Sequence, residues 1–227
     1  MNDQFKSIKA IEQSERRNRR NNKEIKEFII NTLIMIAIAL VAGGVLGFVH
    51  ELTKEPIATM VAREKQAANS KVFESAASFS ETILDESLDL SEYEALYPGV
   101  DITDCIQALD DNGNALGYVF EVTSHEGYGG DIVFSAGINN DGSLNGIFIT
   151  SISETAGLGM RAPDVLVPQF IDKYVSSFEV VKGGASTPSQ IDAISGATIT
   201  SKAVTNGVNA ALEYFRIYLN GGEGHES

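Results

Sequence analysis

The run Phe28 to Val49, FIINTLIMIAIALVAGGVLGFV, holds twenty-two residues and no charge. At ~1.5 Å rise per residue a helix of this length reaches roughly 33 Å, enough to cross the hydrocarbon core of a bilayer. Asn31 and Thr32 lie near one end, where polar groups reach the interface. A soluble core seldom needs so long an uncharged helix. A cleaved signal peptide has a shorter apolar core and a small-x-small cleavage site, which Gly47-Phe-Val-His50-Glu-Leu52 does not supply. Residues 28–49 are therefore expected to form an uncleaved membrane anchor. Gly43 and Gly47 have the small-xxx-small spacing that lets two helix backbones approach, so the anchor is a candidate for docking on other membrane helices.

The two flanks of this run differ in charge. Residues 1–27 carry eight Lys or Arg against five acidic side chains, and the chain from His50 onward carries nine against twenty-six, giving +3 and −17. Positive charge near a first span stays in the cytoplasm. The expected topology is a single pass through the cell (inner) membrane, with a cytoplasmic basic segment over 1–27 and the large acidic part outside.

Composition removes several function classes. A net charge of −14 argues against nucleic acid as a partner, because phosphate binding requires a basic face. One cysteine, Cys105, excludes an intrachain disulfide framework and any multi-cysteine zinc or iron–sulfur site. Three scattered histidines, His50, His125 and His225, make no metal cluster, and no metal is expected.

Beyond the anchor, residues 52–80 have the Ala, Glu and Lys content of a helix beginning near Pro56, since proline is tolerated in a first turn. The acidic stretch Glu81–Glu94 reads as solvated loop and short helix, so 50–95 is a stalk and connector. From Asp101 to Ser153 the pattern changes to strands: 106–109, 116–122, 131–136 and 144–152, punctuated by Asp110-Asp-Asn-Gly113 and Asn139-Asn-Asp-Gly142. Asn-Gly and Asp-Gly between β-formers are strong hairpin signals. An antiparallel sheet of about four strands is expected. Ala162–Val175 reads as a helix that Pro168 starts or bends. A last helix, from about Thr200 to Leu219, turns Val204, Val208, Leu212, Phe215 and Leu219 toward the sheet. The fold class is α+β, a single globular domain of residues 96–220 with a flexible tail, 221–227.

The most specific segment is Asp192-Ala-Ile-Ser-Gly-Ala-Thr198, just ahead of the terminal helix. Ser195, Gly196 and Ala197 leave the backbone bare beside the Thr198 hydroxyl. A group attached there would sit at a helix start, where free N–H groups and the macrodipole favour anions. An ordinary Ser/Thr N-cap explains the same spacing. The segment is no nucleotide P-loop, because Gly-Lys-Ser/Thr is missing, and no Gly-x-Gly-x-x-Gly follows a strand to hold NAD.

Asp192 to Thr198 resembles the flavinylation motif of FMN-binding domains. With the anchor and acidic outer part, the chain is similar to the G subunits of Rnf complexes and to the C subunits of sodium-pumping NADH:quinone reductases. The resemblance implies that Thr198 carries FMN through a phosphoester bond, attached by a separate flavin transferase that uses FAD and a divalent cation. Two loops extend it. Gly127-Tyr128-Gly129-Gly130 resembles the family's Gly-Tyr/Phe-Gly loop, and Glu154-Thr155-Ala156-Gly157-Leu158-Gly159 its Glu-Thr-Pro-Gly-Leu-Gly loop, with Ala156 where proline is usual.

Glycines at these positions let backbone approach a flat ring. Tyr128, Leu158 and Met160 are candidates to pack on it, although each also reads as plain core or loop packing. His125 reads as a flavin contact or a hydrogen-bonded surface histidine, and Glu154 as a ligand or a tie within the loops. The resemblance implies a covalent-FMN electron-transfer subunit of a membrane-bound, ion-translocating ferredoxin:NAD+ oxidoreductase, relaying electrons outside the cytoplasm with other redox and membrane subunits. The alternatives are the corresponding quinone-reductase subunit and an anchored adaptor without redox chemistry.

Overall fold

The computed structural model describes residues 2–85 and 90–219. The expected tail, 221–227, lies outside the described residues, as does part of the acidic connector. The chain divides into two compact units, Met1–Met60 and Val61–Ser227.

In the first unit the backbone belongs to α1, Asn2–Val72. Within α1, Ile29–Lys54 is long and apolar enough to cross a membrane. Its large apolar side chains, among them Leu33, Met35, Leu40 and Leu46, are exposed, and a Cβ added at Gly43, Gly44 or Gly47 would meet open space. The stalk helix expected to begin near Pro56 does not begin there. Helical backbone runs through Pro56 and gives up only the bond that proline's missing N–H would make.

The second unit is built on a five-stranded antiparallel meander: β1 Ser78–Thr82, β2 Val100–Leu109, β3 Ala115–Ser124, β4 Ile132–Asn139 and β5 Leu144–Ile152, in that order across the sheet. A short helix, α2 Ser91–Leu96, lies between β1 and β2. The expected sheet has about four strands; β1 is the addition. Its first residues fall at the end of the expected stalk helix, yet they pair Ser78 with Leu109 and Phe79 with Ala108, and the Ala77 N–H donates to the Leu109 carbonyl at 2.8 Å. Ala- and Ser-rich sequence carries little preference of its own here, so an open sheet edge decides its conformation.

Both faces of the sheet are covered. Over one packs α4, Thr198–Tyr214, continued by a π-helical turn, Phe215–Leu219. Val204, Val208, Leu212 and Phe215 are buried as expected, against Phe120, Val122 and Phe134. Each such side chain taken fully from water is worth about 1.5–3 kcal/mol. Gly207 sets the approach: a Cβ there would lie 2.7 Å from Phe134 Cζ. Under the other face, Val72 and Phe73 pack on Ile106, Ala108 and Val119. The end of α1 is tied to the strands by Lys65, 2.7 Å from Asp104 and 2.6 Å from Glu121. Burial opposes the Lys65 charge, yet the two carboxylates outweigh it and raise its pKa.

The helix expected over 162–175 is shorter. A 3-10 turn, Gly159–Arg161, leads into α3, Ala162–Val165, and a second 3-10 turn, Val167–Phe170, contains Pro168. Pro168 cannot donate to Asp164, and beyond it the chain turns to bond the sheet. Leu144 and Lys173 exchange backbone hydrogen bonds of 2.7 and 2.9 Å, and Asp172 adopts φ +50. A small parallel pair, β6 Glu179–Val181 with β7 Gln190–Asp192, lies outside the expected elements and delivers the chain to α4.

Candidate functional site

The site is assembled at the start of α4. Ala197, not Thr198, is the N-cap, and no side chain caps the helix, so the ordinary Ser/Thr cap does not describe Thr198. The first intrahelical bond is from the Ser201 N–H to the Ala197 carbonyl at 3.0 Å. The amides of Thr198, Ile199 and Thr200 precede it and have no partner within the helix.

Ser201 shapes this entry. Its buried hydroxyl donates to the Ala197 carbonyl at 2.9 Å and accepts the Ile194 N–H at 3.0 Å, pinning both ends of the Ser195–Gly196 bend. Gly196 takes φ +78, a conformation side chains disfavour, and it permits the sharp turn. Of the three hydroxyl residues in the first turn of α4, Thr200 is 1% exposed and Ser201 is fully buried, whereas Thr198 is half-buried; Ser195, in the bend before the helix, is exposed. A large reagent reaches Thr198 alone among the three in the helix.

The structure brings the three glycine-containing segments together. The Glu154 carboxylate, just past β5, accepts the Tyr128 N–H at 2.8 Å, so the reading of Glu154 as a tie between loops holds. Thr155 closes the next turn, its carbonyl accepting from Leu158 at 3.1 Å and Met160 at 3.2 Å, with Gly157 at φ +77. Gly159 then abuts α4: a Cβ there would stand 2.6 Å from Thr200 Oγ1 and 2.7 Å from Glu154 Cβ. Leu158 leans over Gly196, its Cδ2 3.0 Å from where a Cβ would be. Gly129 is pressed against the Ser153 carbonyl. Tyr128 (71% exposed), Leu158 and Met160 are surface side chains, not core.

His125 is a bridged surface histidine. Nδ1 lies 2.9 Å from Asp131 and Nε2 3.0 Å from Asp101, and these two carboxylates raise its pKa. The next residue, Glu126, accepts a 2.7 Å hydrogen bond from Asn206 of α4. That pair is separated by eighty residues and left no sequence signal. It borders a cavity of about 600 Å³ lined also by Phe178, Val180, Ile199 and Lys202.

These residues fit a group carried on Thr198. The hydroxyl is reachable, amides without helical partners lie beside it, and glycines let the three segments close on one another around it. An FMN-binding domain family model matches residues 127–213, a range that includes all three segments. The G subunit of the Na+-translocating ferredoxin:NAD+ oxidoreductase complex of Acetobacterium woodii is 32% identical, covering 81% of this chain and 89% of that protein. The G subunit of an ion-translocating oxidoreductase complex of Methanosarcina acetivorans is 32% identical over 79% and 90%. The solved structure of Shewanella oneidensis NqrC superposes with a TM-score of 0.43 and 22% identity, over 52% of this chain and 56% of that one. The chain belongs to the family of G subunits of ion-translocating ferredoxin:NAD+ oxidoreductase (Rnf) complexes and carries an FMN-binding domain.

Proposed function

We propose that this protein holds its FMN covalently, on Thr198, and relays electrons within a membrane-bound Rnf complex on the extracytoplasmic side. The observation that carries the reading is the convergence of Tyr128–Gly129, Glu154–Gly159 and Ser195–Ala197 around the first turn of α4, where Thr198 is the one hydroxyl of the helix start that is not buried. Bound FMN supplies the electron chemistry. The chain supplies position: Gly196 and Gly157 make the turns with positive φ, Gly159 lets its loop pack on α4, Glu154 holds the Tyr128 loop, and Tyr128, Leu158, Met160 and Thr155 offer surface to the ring. Attachment by the flavin transferase is balanced as a phosphoryl exchange. The Thr198 Oγ–P bond forms, the P–O–P bond of FAD breaks, AMP leaves and the hydroxyl proton is released. Covalent retention suits a compartment in which a dissociated FMN is not readily replaced.

Tryptic mass spectrometry of the Gly183–Lys202 peptide tests the attachment. Thr198→Val keeps the β-branched shape and removes the oxygen, so the adduct disappears; Thr200→Val keeps it. An adduct on Thr200 or Ser201 refutes the assignment. Orientation, read from the +3/−17 asymmetry, is tested at Asp111, exposed in the β2–β3 turn. Cys105 is buried, with its thiol pKa pushed up to about 12, and stays silent. An impermeant maleimide labels Asp111→Cys in cells whose outer face is accessible. Labelling only after lysis of the inner membrane reverses the topology.

A further inference from the structure

Lys202 lies one turn after Thr198 on α4. Residues four apart on a helix are neighbours, and side chains lean toward the N-terminus, so Lys202 covers the turn that Thr198 opens. For an isolated helix this is a poor place for a cation, because the free amides of the first turn carry roughly half a positive charge. No acidic residue stands in the first turn of α4 to offset it. Lys202 is exposed and has no ion pair within 4.0 Å among the described residues. It is also no by-product of a basic surface. Residues 96–219 contain five basic side chains, Arg161, Lys173, Lys182, Lys202 and Arg216, against fourteen acidic ones. Among the described residues Lys202 is the only cation lining the 600 Å³ cavity; of the two carboxylates that line it, Glu126 is engaged by Asn206, and Glu179 makes no ion pair with Lys202 within 4.0 Å.

We infer that Lys202 is a positioning residue that clamps the phosphoester on Thr198, its ammonium donating to the non-bridging phosphate oxygens. The inference rests on Thr198 as the attachment point. A phosphodiester carries one negative charge, and on Thr198 that charge meets the free amides from one side and Lys202 from the other. The unfavourable pairing of lysine with the helix start then becomes a favourable arrangement of cation, anion and dipole. Lys202 therefore changes sign: it is neutral or destabilising in the unmodified protein and stabilising once the flavin phosphate is in place.

A thermodynamic cycle on the full-length protein, produced with its flavin transferase, reads that sign. The set is wild type, Lys202→Met, Thr198→Val and the double variant, with Lys202→Arg as the conservative control. In the flavinylated protein Lys202→Met lowers Tm by about 2 °C; in the Thr198→Val background it leaves Tm unchanged or raises it. The ³¹P resonance of the phosphodiester moves in Lys202→Met and returns in Lys202→Arg. A folded Lys202→Met protein that takes up no flavin, beside a Lys202→Arg protein that does, supports the clamp as well; loss of flavin from both overturns it. Equal Tm changes in both backgrounds with an unmoved ³¹P resonance overturn it while leaving the attachment on Thr198 standing. Flavin found on another residue overturns both together.

Discussion

The Tyr128 amide donates to the Glu154 carboxylate at 2.8 Å, joining two loops twenty-six residues apart in the chain. One loop follows β3 and the other follows β5, and β4 lies between those strands in the sheet. The bond therefore spans the rim of the sheet beside the start of α4 and fixes both loops relative to Thr198.

Glu154→Ala should release the Tyr128 loop. The lost charge-assisted bond is half-exposed, so the cost to stability is modest, about 1–2 kcal/mol. The local signature is larger: hydrogen exchange at the Tyr128 amide should accelerate while amides in β3 and β4 keep their protection. Unchanged exchange at Tyr128 would show that the bond is dispensable to the loop.

Gly159→Ala inserts a methyl where Thr200 Oγ1 is 2.6 Å and Glu154 Cβ 2.7 Å away. Overpacking of this kind costs about 1–3 kcal/mol. Thr200→Ala removes one of the two obstructions, so the double variant should recover part of the loss in chemical denaturation. Additive effects would mean that the loop moves away instead of pressing on the helix.

Ser201→Ala removes a hydroxyl that makes two buried hydrogen bonds and strands the Ile194 N–H. A loss of about 1–3 kcal/mol is expected. Thr198→Val, at a half-buried position, should stay within about 0.5 kcal/mol before any flavin is attached. Denaturation of both variants in the unmodified state checks the contrast, which separates the structural hydroxyl from the one proposed to carry the flavin.

The His125 bridge should be pH-dependent in a defined direction. Hydrogen bonds to Asp101 and Asp131 raise its pKa in the folded chain above the ordinary value of about 6.5. A raised folded pKa means that its contribution is complete below about 6.5 and fades as pH rises through the folded value. Amide protection across 125–131 should accordingly fall from pH 6 to pH 8, and His125→Gln should flatten that dependence. An NMR titration placing the His125 pKa at or below 6.5 would contradict the bridge.

Much of this molecule is local in origin and legible from residues alone. The uncharged run from Phe28, the β-formers between Asp-Gly turns and the four-residue stripe of α4 each carry their preference in adjacent side chains. Through family resemblance, so does the Ser195–Thr198 motif. The departures from expectation share one cause. Residues 78–82 are a strand only because β2 offers an open edge. Residues 171–175 leave the helix because Leu144 supplies backbone partners and Pro168 removes one.

Which of the hydroxyls in the first turn of α4 is reachable is likewise not written in the spacing. Thr198, Thr200 and Ser201 all carry a hydroxyl, and their different accessibility follows from burial. Packing α4 on the sheet turns Thr200 and Ser201 inward, against Gly159 and the Ile194–Ala197 bend, and leaves Thr198 reachable. Residue identities thus determined most of the elements and the chemistry available to them. Only the tertiary structure decided which atoms meet, because contacts between positions far apart in the chain depend on how the sheet and α4 pack, and no local preference encodes them.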